Sequence, residues 1–190
     1  MKKSTYKITS NEIMAKGWSS LSRLRVEANM ADGRNVELLR EVADHGHGAA
    51  ILPIDKTRGT CLLVRQWRAG AAFNNDEAFL IEACAGLLDA DDPAGCVSRE
   101  AMEELGTHVH NVRHVCDCYS SPGALSELIS LFVASYGAAD RMQPGGGMAE
   151  EGEDIEIMEM PLDEAYTMIA SGAIRDAKTI ILLQYAKLNM

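Results

Sequence analysis

The chain has 190 residues, with 18 lysines and arginines against 28 aspartates and glutamates, for a formal charge of −10. Apolar residues make up 47% and charged residues 24%, an ordinary globular composition long enough for one domain with a buried core, at most with a small appendage. An acidic balance with no lysine or arginine block argues against a nucleic-acid partner, the lack of an apolar run of about 18 residues argues against a membrane span, and the polar stretch after Met1-Lys2-Lys3 does not read as a secretory leader.

The first 45 residues read as β-rich. Ser20 to Asn29 and Asn35 to Val42 alternate loosely about Ala31-Asp32-Gly33-Arg34, and Asp-Gly between two such runs signals a hairpin. Ala49 to Ile54 and Thr60 to Trp67 are strand candidates joined by the turn-like Asp55 to Gly59. Phe79 to Ala85 is a short apolar run ending at Gly86. Residues 93 to 106 read as a helix, with Asp91 or Asp92 as cap, Pro93 in the first turn and Gly106 as the stop; Gly95 weakens its first turn. Val112 to Ser120 and Leu128 to Tyr136 read as strands. Residues 137 to 154 form a loop with Gly145-Gly146-Gly147 followed by Glu150, Glu151, Glu153 and Asp154. Ile155 to Met160 is a short strand, and Leu162 to Ser171 and Ala177 to Leu188 are closing helices separated at Gly172. The pattern is that of an α/β or α+β domain with a mixed sheet, and the N-terminal hairpin reads as an appendage to it.

The five cysteines (61, 84, 96, 116 and 118) are odd in number and irregular in spacing, which fits reduced thiols in a cytoplasmic protein. His45-x-His47 and His108-x-His110-x3-His114 lack accompanying ligands at zinc-site spacing and read as solvated or core-edge histidines.

Chemistry concentrates in the segment from Gly86 to Gly106. On a helix, Glu104 lies about 40° from Glu100, and Glu103 about 60° to the other side. Three carboxylates on one face beside Arg99 oppose helix stability by a few tenths of a kcal/mol. A divalent cation with a taste for hard oxygens resolves that repulsion.

The segment resembles the Nudix box, in which a glycine precedes an Arg-Glu-x-x-Glu-Glu core closed by a second glycine. Arg99-Glu100-Ala101-Met102-Glu103-Glu104-Leu105-Gly106 matches that core position by position. Three departures stand out: the spacing from Gly86 to Arg99 is one residue short, Asp91 or Asp92 replaces the first glutamate, and Thr107 occupies a position that is usually apolar. The resemblance implies an α/β/α sandwich around a mixed sheet and a Mg²⁺-dependent (alternatively Mn²⁺-dependent) hydrolase of nucleoside diphosphates linked to another moiety. Further stretches are similar to the GDP-mannose pyrophosphatase branch. They include Leu63 to Arg68, Leu80 to Asp89, Ser121-Pro122-Gly123, Glu153 to Glu156 and Ile174 to Thr179. That branch implies a nucleotide-sugar substrate and a homodimer with swapped N-terminal strands, and divides the chain into a dimerisation region, 1–43, and a Nudix domain, 44–190, with its box at 86–106.

The resemblance also implies roles. The metal ligands would be the Ala85 carbonyl, Glu100, Glu104 and a carboxylate of the loop after the triple glycine, Glu153 or alternatively Glu151. Glu103 would pair with Arg99 or support metal-held water. Arg40, Arg68 and Lys178 would hold substrate, with Glu41, Gly86 and Leu87 beside it, and Trp18 would stack on the base, Arg40 and Trp18 reaching the site of the partner subunit. Glu127 would lie near the substrate, and Glu127 or Glu153 would take the water's proton. Two rival readings are an ADP-ribose or ADP-sugar pyrophosphatase and a non-catalytic Nudix module that senses nucleotide sugars.

Overall fold

The computed structural model describes residues 3–88, 92–148, 152 and 154–189. The chain divides into two compact units, 1–47 with 119–128, and 48–118 with 129–190.

The first unit is a three-stranded antiparallel sheet of β1 (Thr5–Lys16), β2 (Ser20–Asn29) and β3 (Asn35–Asp44), in that order. The expected hairpin joins β2 to β3 in register from Ser20 opposite Asp44 to Asn29 opposite Asn35. Its turn closes where Met30 N–H donates to the Arg34 carbonyl at 2.8 Å, with Gly33 at φ +90°. β1 falls within the β-rich first 45 residues, although no alternation marks it as a strand. Register shifts between Ile8 and Ser10 and between Ile13 and Ala15 break its two-residue period, so alternation is lost along the strand even though it pairs with β2 throughout. Segment 119–128 lies beside the end of β3: Ala43 N–H donates to the Ala124 carbonyl, Ser126 N–H to the Ala43 carbonyl, and Ser126 Oγ to Asp44 at 2.7 Å.

The second unit holds a seven-stranded mixed sheet. β10 (Glu156–Pro161), β5 (Thr60–Trp67), β4 (Gly48–Asp55), β9 (Leu128–Ser135) and β8 (His110–Tyr119) follow one another, with β4 and β9 parallel. β4 and β5 pair only at Ile54–Cys61 and Asp55–Thr60 and then diverge. β6 (Phe79–Glu82) fills the gap on β5, and β7 (Cys84–Leu87) fills it on β4. The single apolar run Phe79 to Ala85 is therefore two strands that change partners at Ala83. Short helix α1 (Ala69–Phe73) precedes β6, and a 3₁₀ turn spans Ala138–Asp140.

Alternate residues of the central strands feed two cores, as the period of a strand requires. Ala50, Leu52, Cys61, Leu63, Leu131 and Val133 pack with α3 (Leu162–Ser171) and α4 (Ala177–Asn189). Ala49, Ile51, Leu62, Val64, Phe132 and Ala134 pack with α2 (Pro93–Glu103) through its Cys96, Val97 and Ala101. Helices on both faces of a mixed sheet make the α/β/α sandwich. Helix α2 ends earlier than residue 106 because Gly106, at φ +63°, turns the chain away after Glu104. Asp92 is its cap, accepting from Ala94 and Gly95 N–H; Asp91, the alternative, lies outside the described residues. None of the five cysteines is in a disulfide, and among the described residues no helix is long and apolar enough to cross a membrane.

Candidate active site

Helix α2 carries the carboxylates, and β7 receives them. Glu100 lies against Gly86 so closely that a Cβ there would stand 2.2 Å from Glu100 Oε1. A side chain at this position would force the Glu100 carboxylate to move. One turn on, Glu104 is 2% exposed, and its Oε2 accepts the Ala85 N–H at 3.3 Å. Arg99 Nη1 reaches Glu100 Oε1 at 2.9 Å and Glu103 Oε2 at 3.0 Å, so one guanidinium screens two of the three carboxylates from each other. The neighbouring Cys84 thiol is held well above its usual range, first by burial and then by the negative charges of Glu104 and Glu100.

The triple glycine docks on the end of α2. Gly146 N–H donates to the Glu104 carbonyl at 2.8 Å and Gly147 N–H to the Glu103 carbonyl at 3.3 Å, satisfying carbonyls that the helix end leaves open. Gly145 sits at φ +69°, and a Cβ on it would come within 2.6 Å of the Glu104 carbonyl oxygen. The acidic loop thus begins at the turn that carries Glu104. Its Glu150, Glu151 and Glu153 lie outside the described residues. Among the described residues, no cluster of three or more His, Cys, Asp or Glu side chains is placed to hold a metal ion. What is present suits a hard divalent cation in kind: two carboxylates, one of them cradled by a glycine, beside the backbone of Ala85–Gly86.

A second charged cluster lies where β5 ends and α4 begins. Arg68 Nε and Nη2 donate to the two oxygens of Glu82, both at 2.8 Å, and Lys178 Nζ donates to Glu82 Oε2 at 2.6 Å. Lys178 also meets Asp176 at 3.0 Å. Asp176 accepts from Thr179 N–H and Oγ, and Thr179 Oγ in turn accepts the Ala83 N–H at 2.7 Å, which ties the start of α4 to the β6–β7 junction. Burial alone would raise the Glu82 pKa, but Arg68 and Lys178 outweigh it and hold the carboxyl below its ordinary value. Burial opposes the Arg68 charge, but the hydrogen bonds and charge of Glu82 outweigh it and, with a smaller contribution from Glu104, hold the guanidinium above its ordinary value. Arg68 and Lys178 were expected at the site; Glu82, Asp176 and Thr179 had no role assigned from sequence. The signal for Glu82 was a charge inside an apolar run, which is affordable only when paired.

Four expected site residues belong to the first unit. Trp18 is 78% exposed and stacks on His45, ring centroids 5.0 Å apart. Arg40 donates to its neighbour's carbonyl on Leu39, and Glu41 meets Arg23 at 3.3 Å. Glu127 is half-buried in the segment that borders β3. In the second unit, His110 meets Asp140 at 2.9 Å and His114 meets Asp117 at 2.8 Å.

Known proteins with the same features are close at hand. The sequence model of the NUDIX domain matches residues 44–183. A GDP-mannose pyrophosphatase of Cronobacter sakazakii is 42% identical over 180 residues, covering 94% of this chain and 93% of that protein. One from Klebsiella pneumoniae is 41% identical over 179 residues, covering 94% and 89%. A solved structure described as an ADP compounds hydrolase superposes with a TM-score of 0.74 over 99% of this chain and 94% of that one; at 17% identity it speaks for the fold alone. With the box carboxylates seated on α2 against Gly86 and the family match spanning most of its length, the chain belongs to the Nudix hydrolase family.

Proposed function

We propose that the protein hydrolyses the diphosphate of a nucleoside diphosphate sugar, GDP-mannose before others, releasing GMP and mannose 1-phosphate. The observation that carries this reading is the Glu100–Glu104 pair held against Gly86 and Ala85, in a chain whose relatives at 41–42% identity are named GDP-mannose pyrophosphatases.

Glu100, Glu104, the Ala85 carbonyl and a loop carboxylate, Glu153 or Glu151, would hold Mg²⁺, or Mn²⁺ in its place. When bound, the cation supplies the Lewis-acid charge that draws electron density off the diphosphate. Arg68 and Lys178 hold the anionic phosphates; a guanidinium can grip two phosphate oxygens at once. Gly86 and Leu87 line the approach, and the glycine admits substrate to the backbone as it admits Glu100. Water attacks one phosphorus, the bond to the bridging oxygen breaks, and the water's proton passes to Glu127 or Glu153. Trp18 and Arg40, from the N-terminal unit, are proposed to reach the site of the partner subunit, where the exposed Trp18 ring can stack on the base.

The N-terminal region, 1–43, is proposed to form a homodimer. Edge strand β1 leaves Tyr6, Ile8 and Ile13 at least 60% exposed, and a long edge strand with apolar side chains invites pairing. The setting proposed is the cytoplasm.

The test is hydrolysis of GDP-mannose, GDP-glucose, ADP-ribose and ADP-glucose, each with Mg²⁺ and with EDTA, on protein whose mass is read by light scattering. Metal-dependent release of GMP and mannose 1-phosphate, with GDP-mannose leading and a dimer in solution, supports the reading. AMP from ADP-ribose as the leading product moves the substrate to the ADP-sugar class and keeps the box assignments. No turnover of any of the four favours a sensing module.

A further inference from the structure

We infer that Glu82 is a positioning residue for the diphosphate: it fixes Arg68 and Lys178 side by side so that both cations meet the phosphates together. The inference rests on the proposed role of those two cations.

Three features set this cluster apart from an ordinary ion pair. Glu82 sits at the end of β6 with 2% of its surface exposed, in a run otherwise made of Phe79, Leu80, Ile81, Ala83 and Cys84. Buried ionic clusters on average add little stability over apolar packing of the same volume, so stability alone is a poor reason for one here. Second, both oxygens of Glu82 are used, and by groups from different elements: Arg68 just beyond β5, and Lys178 in the first turn of α4. Two like charges would otherwise separate; the shared carboxylate holds them together. Third, the pairing is one-sided. Arg68 spends its Nε and Nη2 on Glu82, which turns the Nη1 edge of the guanidinium away from it, and 41% of the side chain stays exposed against 11% for Lys178. Arg68 is therefore an arm anchored at one edge and presented at the other.

The chemistry follows from preorganisation. A loose arginine or lysine must be ordered when substrate arrives, and that entropy is subtracted from binding. Arg68 and Lys178 are ordered beforehand by Glu82, and Lys178 a second time by Asp176. Asp176 and Thr179 keep the start of α4 fixed to the β6–β7 junction, so the geometry persists without substrate. The mispositioning of an anchored group in an active site costs up to about 100-fold in rate.

The experiment is a double-mutant cycle of Glu82→Gln and Arg68→Ala, read as kcat and KM for GDP-mannose with Mg²⁺, and the melting temperature of each protein is recorded. Glu82→Gln is expected to lower kcat/KM by about 10–100-fold, with KM rising. In the Arg68→Ala background the same substitution is expected to cost much less, because the arm it positions is gone. Additive effects, or wild-type KM and kcat in a well-folded Glu82→Gln protein, overturn the inference. If Glu82→Gln does not fold, the cycle is run with Glu82→Asp, which keeps the charge but is one methylene short of reaching both cations. If the wild-type protein turns over no nucleotide sugar, the proposed reaction fails on its own, and the cycle is read instead as affinity for inorganic pyrophosphate with Mg²⁺ by calorimetry. Non-additive losses there sustain the role of Glu82, and additive ones overturn it.

Discussion

Glu104 and Glu100 have the same chemistry and different surroundings. Glu104 is almost fully buried, with the Ala85 N–H on one oxygen and the Cys84 thiol nearby; Glu100 lies over Gly86 and shares Arg99 with Glu103. A buried carboxylate is costly to desolvate, so its place here answers to charge rather than to packing. Glu104→Gln keeps the volume and the capacity to accept from Ala85 N–H while removing the charge. It is expected to leave the melting temperature within a few degrees of wild type and to lower kcat by on the order of 10²–10³-fold or more, comparable to removing one electrostatic contact to a transition state. Steady-state kinetics beside a thermal melt checks this, and near-normal turnover would overturn the proposed metal-binding role of Glu104. At this scale the sequence was informative where spacing carried meaning. Glu100, Glu104 and Gly86 stood out by helical period and motif, whereas Glu82 stood alone in an apolar run, and its partners come from more than ten residues upstream and from the far end of the chain. No local period reports a contact of that kind.

Elements with an uninterrupted period were read closely. Thr60–Trp67 and Leu162–Ser171 match the bounds expected for them, because one alternates into two cores and the other has a clean apolar stripe ended by Gly172 at φ +77°. The bulges of β1 shift its alternation twice and hide the strand in the sequence, and the change of partner at Ala83 leaves no mark in composition to separate β6 from β7. Helix α2 also explains its own oddity. Gly95 looked like a flaw in the first turn, yet the Asp92 carboxylate folds over it, accepting its N–H at 3.1 Å, and a Cβ there would stand 3.2 Å from Asp92 Oδ2. The glycine makes room for the cap. Asp92→Ala leaves the Ala94 and Gly95 N–H groups without it and is expected to cost about 1 kcal/mol, lowering the melting temperature by about 2–4 °C. Because α2 presents Glu100 and Glu104, fraying of its first turn is expected to leave kcat nearly unchanged: both glutamates lie beyond that turn, and the triple glycine anchors the other end. A fall in kcat as large as that of Glu104→Gln would show that the cap, and not only the C-terminal anchor, sets the carboxylates.

For the whole molecule, a net charge of −10 sets a problem for any enzyme of anionic substrates. In the folded state acids are paired with bases, and Arg68 and Lys178, the cations proposed to meet the diphosphate, stand together on Glu82. The same pairings predict how stability varies with pH. Asp55 is held low by Arg58, Asp76 by Arg175 and Asp117 by His114; Glu82 is held low by Arg68 and Lys178 against its burial. A carboxyl whose folded pKa is depressed contributes stability above its unfolded value, near pH 4, and loses it as the pH falls through the lower folded value. On the alkaline side the sign is reversed. Burial pushes the Cys61 thiol up to about 12 and the Cys84 thiol well above its usual range. Their neutral forms are favoured by the fold, so the stability they add is full below the unfolded thiol value, near pH 8.5, and drains away as the pH rises beyond it. The melting temperature is therefore expected to hold a plateau between about pH 5 and 8, falling below pH 4 and again above pH 9. Melts across pH 3–11 at fixed salt test both limbs. Loss of the acid limb in a Glu82→Gln protein, with the alkaline limb kept, would assign that limb to the buried carboxylate; an acid limb unchanged in that protein would assign it to the surface pairs, which salt should then weaken.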